Sequence, residues 1–236
     1  MNNDSKLLLS IKNLSLSVGE LELIKAFNLE ISKGQIFGIS APTGTGKTSL
    51  FNYIAGLLPQ TFMVKGEMTR NSSVSYVFQE PLLIPSVSVL KNVMLPLENK
   101  MEKTKAQEHA AAWVGKLNMA HKMNETVKSL SGGEQQRTSI ARAFASLERT
   151  GVPERTGVPK RTGVPERTGV PERTGVPEPV EGLLLLDEPF ASQDETNIQN
   201  IMSLTKTLVE QNSCACLVIS HDTTNLEKLC DKIIKL

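Results

Sequence analysis

The first third of the chain alternates short apolar runs with turn residues, which predicts several strands. Such runs occupy residues 10–18, 26–31, 35–40 and 74–78, and one segment with helical spacing, residues 48–58, interrupts them. Apolar side chains at alternate positions, bounded by turn residues, are typical of half-buried strands. The chain therefore begins with a strand-rich portion that contains one helix.

In the middle and at the end of the chain, apolar side chains recur at other spacings. Between residues 87 and 146 apolar side chains recur at threes and fours, as in residues 103–117 and 135–147, which predicts helices. The final part has an apolar run GLLLLD, a segment with helical spacing, a second apolar run CACLVIS and a short helix. Strands that alternate with helices indicate an α/β class with a mostly parallel sheet.

Residues 149–178 are five copies of a six-residue unit, RTGVPE with one RTGVPK variant. Proline and glycine fill 10 of the 30 positions, so the segment cannot bury enough apolar surface to offset its ordering entropy. A β-helix, the alternative for a short period, needs more turns and a denser apolar pattern. The repeats are predicted to be a disordered insert that projects away from the active face. Extending a loop from about 8 to about 38 residues costs only roughly 1.4 kcal/mol.

The charge balance argues against a nucleic-acid partner, and the hydropathy argues against a membrane-spanning helix. The chain has 26 Lys and Arg and 25 Asp and Glu; the repeats hold six and four of these, so 20 − 21 leaves a formal charge of −1 elsewhere. Without a basic excess, no nucleic-acid partner is expected. The longest apolar run, residues 183–186, is far shorter than the roughly 20 residues of a membrane-spanning helix, and residues 1–9 lack signal-peptide features. The chain is predicted to be cytoplasmic, with Cys214, Cys216 and Cys230 as core residues rather than metal ligands.

The segment IFGISAPTGTGKTSL, residues 36–50, has the order of strand, glycine-rich loop and helix that a phosphate site needs. Backbone N–H groups at a helix start attract an anion, and glycines let the backbone approach it. Lys47 would reach the β- and γ-phosphates and the Thr48 hydroxyl would bind Mg²⁺, whereas a chance Gly-Lys-Thr at a capped helix start is the alternative. The predicted binding loop comprises Ala41, Pro42, Thr43, Gly44, Thr45, Gly46, Lys47, Thr48 and Ser49.

A second candidate motif, LLLLDE at residues 183–188, is an apolar strand that ends in two acids. At the carboxyl end of a buried strand beside the phosphate loop, Asp187 could hold Mg²⁺ through water and Glu188 could accept a proton from an attacking water. An Asp at a strand end is equally often a turn residue. Further on, Ser192 and Glu195 have the spacing of a capping box that opens the next helix.

The run LSGGEQQR, residues 130–137, with the phosphate loop upstream and LLLLDEP downstream, resembles the ATP-binding cassette (ABC) ATPases. Ser131, two glycines and Glu134 also form the pattern of a capped helix start, whose N–H groups could hold a phosphate. The resemblance covers about residues 7–236 apart from the repeats. It implies one P-loop NTPase domain over residues 1–236, with an N-terminal antiparallel β subdomain and a helical subdomain over residues 80–140.

The resemblance also implies roles for individual residues. Ser131, Gly132 and Gly133 would contact the γ-phosphate bound by a second copy, so that ATP lies between two cassettes. Gln79 in YVFQEP matches the glutamine loop, Asp194 in ASQD the D-loop and His221 in VISHD the switch histidine. The implied catalytic set is Glu188, His221 and Gln79, the implied metal set is Thr48, Gln79 and Asp187, and Asp194 joins the nucleotide-binding set.

Two positions depart from the family pattern. Ala41 replaces the first glycine of the phosphate loop, and would be strained by about 1–2 kcal/mol if its φ is positive but little affected if φ is negative. Val18 stands where the family has an aromatic residue that stacks on adenine. Since a stacked base contributes about 1–3 kcal/mol, weaker ATP affinity or base discrimination is expected.

The resemblance also implies partners and a location. A transporter cassette docks on integral membrane permease subunits through the segment after the glutamine loop, here residues 80–97, from the cytoplasmic, inner face of the cell membrane. Residues 74–97 look like those of nitrate, sulfonate and taurine type importers, although related importers and lipoprotein-release cassettes share much of this stretch. An importer implies a substrate-binding protein as a further partner. A soluble ABC ATPase, for example in cluster assembly, and a cassette that binds nucleotide without turnover are the alternatives.

Overall fold

The computed structural model of the protein describes residues 6–147 and 181–236. Its strands are β1 (Leu7–Val18), β2 (Leu21–Ser32), β3 (Ile36–Ser40), β4 (Phe62–Arg70), β5 (Ser73–Val77), β6 (Gly182–Asp187), β7 (Cys214–Ile219) and β8 (Lys232–Lys235). Its helices are α1 (Lys47–Ala55), α2 (Val89–Met94), α3 (Lys103–Lys116), α4 (Gly132–Leu147), α5 (Glu195–Gln211) and α6 (Thr223–Leu229). The strands form an antiparallel sheet, β2-β1-β4, and a parallel sheet, β5-β6-β7-β3-β8.

The parallel sheet separates two apolar clusters. Every residue of β6 and β7 is buried, and successive side chains of a strand point to opposite faces. Leu184 and Leu186 pack among residues of α2 to α5, whereas Leu183 and Leu185 pack among residues of α1 and the antiparallel sheet. Full burial of each leucine contributes about 1.5–3 kcal/mol, so this strand stabilises the packing on both faces of the sheet. The α/β class and the P-loop NTPase fold are confirmed.

Strand β4 is missing from the sequence-based prediction. Its nine residues are all exposed or half-buried, so it lacks the alternation of buried and exposed positions that marks a strand. The backbone of β1 makes β4 extended, because the two pair from Leu9–Arg70 to Val18–Phe62. β1 thus lies between β2 and β4 with most of its apolar side chains buried.

Two predicted helix boundaries need correction. α1 ends at Ala55 instead of residue 58, because Gly56 adopts a left-handed φ of 76° and its N–H turns back to carbonyls of the last turn. The capping box predicted at Ser192 is wrong. Asp194 caps α5 instead and accepts a hydrogen bond of 2.8 Å from the Asn197 N–H. None of the helices within residues 6–147 and 181–236 combines the length and the apolar character required to span a bilayer.

The cysteines lie where the apolar pattern suggests. Cys214 and Cys216 are buried in β7, and Cys230 is half-buried after α6. Burial raises the pKa of the Cys214 thiol to about 12, and it raises the pKa of Cys216 as well. Both β7 thiols therefore stay protonated and act as small apolar side chains.

The end of α4 and the start of β6, the described elements on either side of the repeats, lie close together. α4 ends at Leu147 and β6 begins at Gly182, and a Cβ atom on Gly182 would lie only 2.5 Å from Leu147 Cδ2. This contact is at the opposite end of β6 from Asp187. The repeats themselves, residues 149–178, lie outside the described residues, so their predicted disorder stays a prediction.

Excising residues 149–178 should leave the fold intact. The described residues that flank the cut, Leu147 and Gly182, already lie close together, and a shorter loop costs less closure entropy. The midpoint of thermal unfolding should therefore stay level or rise by up to about 5 °C. Calorimetry and ATP titration of the shortened chain against the full chain provide the measurement. Loss of soluble protein, or of nucleotide binding, would contradict the disordered-insert prediction.

Candidate active site

A cleft of ≈ 260 Å³ opens where β3, β6 and β7 end. Ligands of open α/β sheets gather at this edge, because parallel strands direct their carboxyl ends to it. The cleft brings together loop, strand-end and switch residues that lie far apart along the chain. They are Leu23, Thr43, Gly44, Gly46, Lys47, Thr48, Ser49, Gln79, Asp187, Glu188 and His221. All except Leu23 are among the residues predicted from the sequence.

The phosphate loop is wrapped around the Lys47 ammonium. Lys47 is only 7% exposed, and its Nζ donates to the carbonyl oxygens of Ala41 (2.6 Å) and Pro42 (2.8 Å). Gly46 precedes α1 with a left-handed φ of 88°, and a Cβ there would meet Leu23 Cβ at 3.0 Å. The loop therefore brings one positive charge and the N–H groups of a helix start to the same point, which suits a polyphosphate.

Ala41 does not strain this loop. It is absent from the described residues with positive φ, so the missing glycine removes no left-handed position. Its carbonyl instead accepts one of the Lys47 hydrogen bonds. Of the two cases considered for Ala41, the one without a positive φ is therefore observed. Replacing the first glycine of the loop by alanine costs little free energy.

Three oxygen-bearing side chains meet at the end of β6. Thr48 Oγ1 donates to Asp187 Oδ2 at 3.0 Å, and the Tyr76 hydroxyl donates to the same oxygen at 3.5 Å. Burial raises the pKa of Asp187, and the hydrogen bond from Thr48 partly opposes that rise. Burial and the neighbouring Asp187 also raise the pKa of Tyr76, so its hydroxyl stays a donor. A carboxylate next to a hydroxyl is the hard oxygen set that Mg²⁺ prefers, and a cation would offset the buried charge.

Glu188 is held in place by the end of β7. Its carboxylate is 13% exposed and accepts hydrogen bonds of 3.3 Å from Ser220 Oγ and from the His221 N–H, while its other oxygen lies 3.4 Å from His221 Nε2. The Glu188 backbone has a left-handed φ of 50°, which costs a non-glycine residue about 1–3 kcal/mol. Packing thus keeps a carboxylate at the cleft in a conformation that the free chain would avoid.

The glycine-pair turn of residues 131–133 lies away from this cleft. The predicted capping box is present: the Ser131 N–H donates to Glu134 Oε2 at 2.8 Å and the Glu134 N–H donates to Ser131 Oγ at 3.3 Å. The hydrogen bond from the Ser131 backbone lowers the pKa of Glu134. Ser131 and Gly132 are exposed, and none of residues 131–133 lines the cleft that contains the Lys47 loop.

Of two further residues predicted from the sequence, Gln79 lines the cleft and Asp194 does not. Gln79 lines the cleft two residues after the end of β5. Asp194 is outside it, where both carboxylate oxygens accept hydrogen bonds from Asn197, from the backbone N–H and from Nδ2, at 2.8 Å each. The cap of α5 thus accounts for the local contacts of Asp194.

Val18 belongs to an apolar row that sequence patterns do not reveal. It pairs directly with Leu21 on β2 and with Phe62 on β4, and directly paired residues share a face of the sheet. Leu16, two residues earlier on the same face, is buried, whereas Leu21 is exposed. The row therefore extends from the buried core to the exposed edge of the antiparallel sheet. Leu23 on β2 lies beside the phosphate loop. Only strand pairing over more than 40 residues brings Phe62 there.

Comparison with known proteins identifies the chain. A family model described as ABC transporter matches residues 24–149, which include the Lys47 loop, Gln79 and the Ser131 turn. The chain belongs to the ABC transporter family. It is the ATP-binding and ATP-hydrolysing subunit, or cassette, of a transporter.

The similarity extends over almost the whole cassette. The aliphatic sulfonates import ATP-binding protein SsuB 3 of Rhodococcus jostii is 30% identical over 98% of this chain and 72% of that protein. The lipoprotein-releasing system ATP-binding protein LolD of Saccharophagus degradans is 29% identical over 90% and 85%. A solved bacterial ABC transporter cassette, a dimer in a post-hydrolysis state bound to ADP and Pi, matches with a TM-score of 0.73 and 26% identity over 97% of this chain and 94% of that one.

Proposed function

We propose that this cassette hydrolyses ATP between two copies of itself and thereby powers import through separate permease subunits at the inner face of the cell membrane. One observation carries the proposal. Lys47, Asp187, Glu188 and His221 converge on a single cleft, while the Ser131 turn, the proposed phosphate contact for a second site, is exposed and does not line it. One chain therefore holds the parts of two half-sites, which a second copy would complete.

In the proposed reaction, the cassette holds ATP by its phosphates. The Lys47 ammonium and the N–H groups of residues 43–48 face the β- and γ-phosphates. Glu188 takes a proton from a water whose oxygen attacks the γ-phosphorus, and the bond from that phosphorus to the bridging oxygen breaks, which releases ADP and phosphate. His221, next to the Glu188 carboxylate, contacts the γ-phosphate and keeps both groups aligned. Asp194 joins the nucleotide site from the turn before α5.

We assign Mg²⁺ to Thr48, Asp187 and Gln79, which all line the cleft. The 3.0 Å contact between the Thr48 hydroxyl and the Asp187 carboxylate supports this assignment, because it places two oxygen groups of the kind that Mg²⁺ prefers side by side. When bound, the ion neutralises phosphate charge and orients the γ-phosphate. The residues of this chain supply the pocket and the proton acceptor.

The paired arrangement can be tested on the Glu188→Gln variant, which should hold ATP without turning it over. With ATP and Mg²⁺ this variant should sediment as a dimer, and chelation of Mg²⁺ should return it to the monomer. Ser131→Arg, which fills the proposed phosphate position, should prevent the dimer while ATP still binds the monomer. A Glu188→Gln variant that remains monomeric at saturating ATP would contradict the proposal.

Residues 80–97, in the proposed helical subdomain of residues 80–140, are the proposed docking segment for the permease. Leu82 and Ile84 are 57% and 43% exposed, and apolar side chains so close together on a surface mark contact sites. Arg142 on α4 donates to the Leu82 carbonyl at 2.6 Å, so movement of this segment would reach the helix that begins at the Ser131 turn.

A pull-down from detergent-solubilised membranes of the source cell tests the docking segment. The tagged cassette should retain a polytopic membrane protein, identified by mass spectrometry, and the double variant Leu82→Ser, Ile84→Ser should lose it while ATPase activity stays. Leu57→Ser, at another exposed leucine, serves as the control. A tagged cassette found only in soluble complexes would favour the alternative, a soluble ABC ATPase. Import, and with it a substrate-binding protein, rests on the similarity to sulfonate importers.

Val18→Tyr should tighten ATP binding by about three- to tenfold, because a ring stacks on adenine better than an aliphatic side chain does. We propose that the base rests on the apolar row of Leu21, Val18 and Phe62, which strand pairing brings together, so Phe62→Ala should weaken ATP binding. Titration with ATP, GTP and inorganic tripolyphosphate separates base contacts from phosphate contacts. Met63→Ala, on the opposite face of β4, is the control. Equal affinities and equal ATP-over-GTP preference in Val18→Tyr would refute the prediction.

A further inference from the structure

The hydroxyl group of Tyr76 reaches the carboxylate of Asp187 from a neighbouring strand, although Tyr76 does not line the cleft. β5 and β6 are parallel, and Tyr76 pairs with Leu185. Asp187 follows Leu185 by two residues, so both side chains lie on the face of β6 that packs against α1. Strand pairing therefore places a hydrogen-bond donor beside an acid that the proposed function assigns to Mg²⁺.

Two other aromatic rings hold the ring of Tyr76 in place. Phe51 on α1 meets it edge to face, with ring centroids 5.8 Å apart and an interplanar angle of 78°. Phe78 stacks on it, with centroids 3.9 Å apart and an angle of 24°. Aromatic pairs of this kind add stabilisation beyond the area that they bury, so the ring keeps its orientation and its hydroxyl stays beside the acid.

The three rings also connect the proposed Mg²⁺ ligands to one another. Phe51 lies three residues after Thr48, which is about one turn of α1. Phe78 immediately precedes Gln79. Tyr76 contacts both phenylalanines and, through its hydroxyl, the acid at the end of β6. A single side chain therefore touches one proposed ligand directly and the segments that carry the other two.

The Asp187 carboxylate receives two hydrogen bonds on one oxygen. Thr48 Oγ1 donates to Oδ2 at 3.0 Å and the Tyr76 hydroxyl donates to it at 3.5 Å, since an ionised carboxylate can only accept. Asp187 is only 1% exposed, so water competes little for these bonds. The distance of 3.5 Å is long for a bond between two oxygens, so the Tyr76 bond is the weaker one. It restrains the carboxylate from a second direction, because Thr48 approaches from α1 and Tyr76 from β5.

We propose that Tyr76 is a positioning residue that holds the Asp187 carboxylate in the orientation required by the Mg²⁺ of the ATP site. This inference rests on the proposed function, in which Thr48, Asp187 and Gln79 serve the ion. Removal of a group that hydrogen-bonds to a metal-binding carboxylate typically lowers metal affinity by about 10–100-fold. Because the Tyr76 bond is long, the expected effect is at the lower end of this range, about tenfold. Tyr76 acts through Asp187 and not as a ligand.

The variant Tyr76→Phe removes the hydroxyl and keeps the ring. Titration of the ADP complex with Mn²⁺, which takes the same oxygen ligands as Mg²⁺, measures the metal site without ATP turnover. With protein in excess over ADP, the electron paramagnetic resonance signal of free Mn²⁺ gives the dissociation constant, which should rise about tenfold in Tyr76→Phe. The affinity for ADP in the presence of a chelator should stay within about twofold, because no phosphate contact is lost.

Steady-state ATP hydrolysis gives a second readout. The Mg²⁺ concentration for half-maximal hydrolysis should rise by about the same tenfold in Tyr76→Phe. At saturating Mg²⁺ the rate should return to within about twofold of the wild type, because excess ion compensates for weaker binding. A lower rate that excess Mg²⁺ does not restore would contradict a role in the metal site.

Tyr53→Phe is the matched control, because Tyr53 is the other tyrosine of the chain, is also half-buried and does not line the cleft. It should match the wild type in both affinities. Asp187→Ala should weaken Mn²⁺ binding more than Tyr76→Phe does. Tyr76→Phe should have no additional effect in the Asp187→Ala background, since no carboxylate remains to be oriented. All variants are compared by thermal unfolding.

The results separate a failure of the Tyr76 proposal from a failure of the Mg²⁺ assignment. If Asp187→Ala weakens Mn²⁺ binding and Tyr76→Phe does not, Tyr76 has no positioning role and the Mg²⁺ assignment stands. If neither variant changes Mn²⁺ binding, the assignment of Mg²⁺ to Asp187 fails, and the Tyr76 proposal with it. If Tyr76→Phe loses ADP affinity in chelator by the same factor as Mn²⁺ affinity, the side chain supports the fold of the cleft and not the metal site.

Discussion

Replacing Glu188 by glutamine should reduce the steady-state rate of ATP hydrolysis by about 10²–10⁴-fold, the usual contribution of a general base. The amide is nearly the same size as the carboxylate and can still contact Ser220 and His221, so the cleft should keep its shape. Only the capacity to accept the proton of water disappears. The rate of phosphate release should therefore collapse, while the affinity for ATP stays within a few fold.

The control for Glu188→Gln is Glu227→Gln, an exposed glutamate on α6 beyond the His221 turn. It should hydrolyse ATP at the wild-type rate. Equal background rates in the wild type and in Glu188→Gln would show a cassette that binds ATP without turnover, which is one of the alternatives that the sequence leaves open. Substantial ATPase activity in Glu188→Gln would show that another residue accepts the proton of the attacking water.

Replacing Lys47 by alanine should weaken ATP binding by at least about 100-fold. Hydrogen bonds to charged groups contribute about 1.5–3 kcal/mol each, and the ammonium faces two phosphates, so a loss of about 3–4 kcal/mol corresponds to a factor of several hundred. The loop would also lose the donor that its own carbonyls at Ala41 and Pro42 now share. Isothermal titration with ATP measures the affinity directly, and thermal unfolding shows whether the loop alone or the whole domain is affected.

Lys33→Ala is the matched control for Lys47→Ala, because Lys33 is an exposed lysine just before β3, at the other end of the strand that leads into the phosphate loop. Its affinity for ATP should stay within about twofold, since an exposed charge at that distance is screened. Lys47→Arg should also bind poorly, because a planar guanidinium does not reproduce the compact point charge of the buried ammonium. Full ATP binding by folded Lys47→Ala would refute the proposed role of the loop.

The parts of the cleft that sequence reasoning reaches are those at strand ends. Lys47 and Thr48 follow β3, Asp187 and Glu188 end or follow β6, and His221 follows β7. Parallel strands deliver their carboxyl ends to one edge, so recognising the strands and the residues after them is enough to bring these groups together. The Ser131 turn was predictable for the same kind of reason, since its capping box depends on contacts only three residues apart.

Other parts depend on contacts between distant segments, which no local pattern encodes. Leu23 reaches the phosphate loop only because of the way β2 packs there, and Phe62 joins Val18 only because β4 pairs with β1. Asp194 caps α5 instead of Ser192, because Ser192 has a left-handed backbone conformation and packs against Gly133. The choice between two adequate capping residues was made by packing.

By itself, the sequence determined the class of the protein and the inventory of its site, because helix periods, strand runs and the residues that bind phosphate act over a few neighbouring positions. The tertiary structure alone decided the backbone of Ala41, the burial of Asp187 and the contact of Asp187 with Tyr76, 111 residues away along the chain. Such features arise from the balance of packing over the whole molecule, where strand pairing and the close approach of backbones override local preferences.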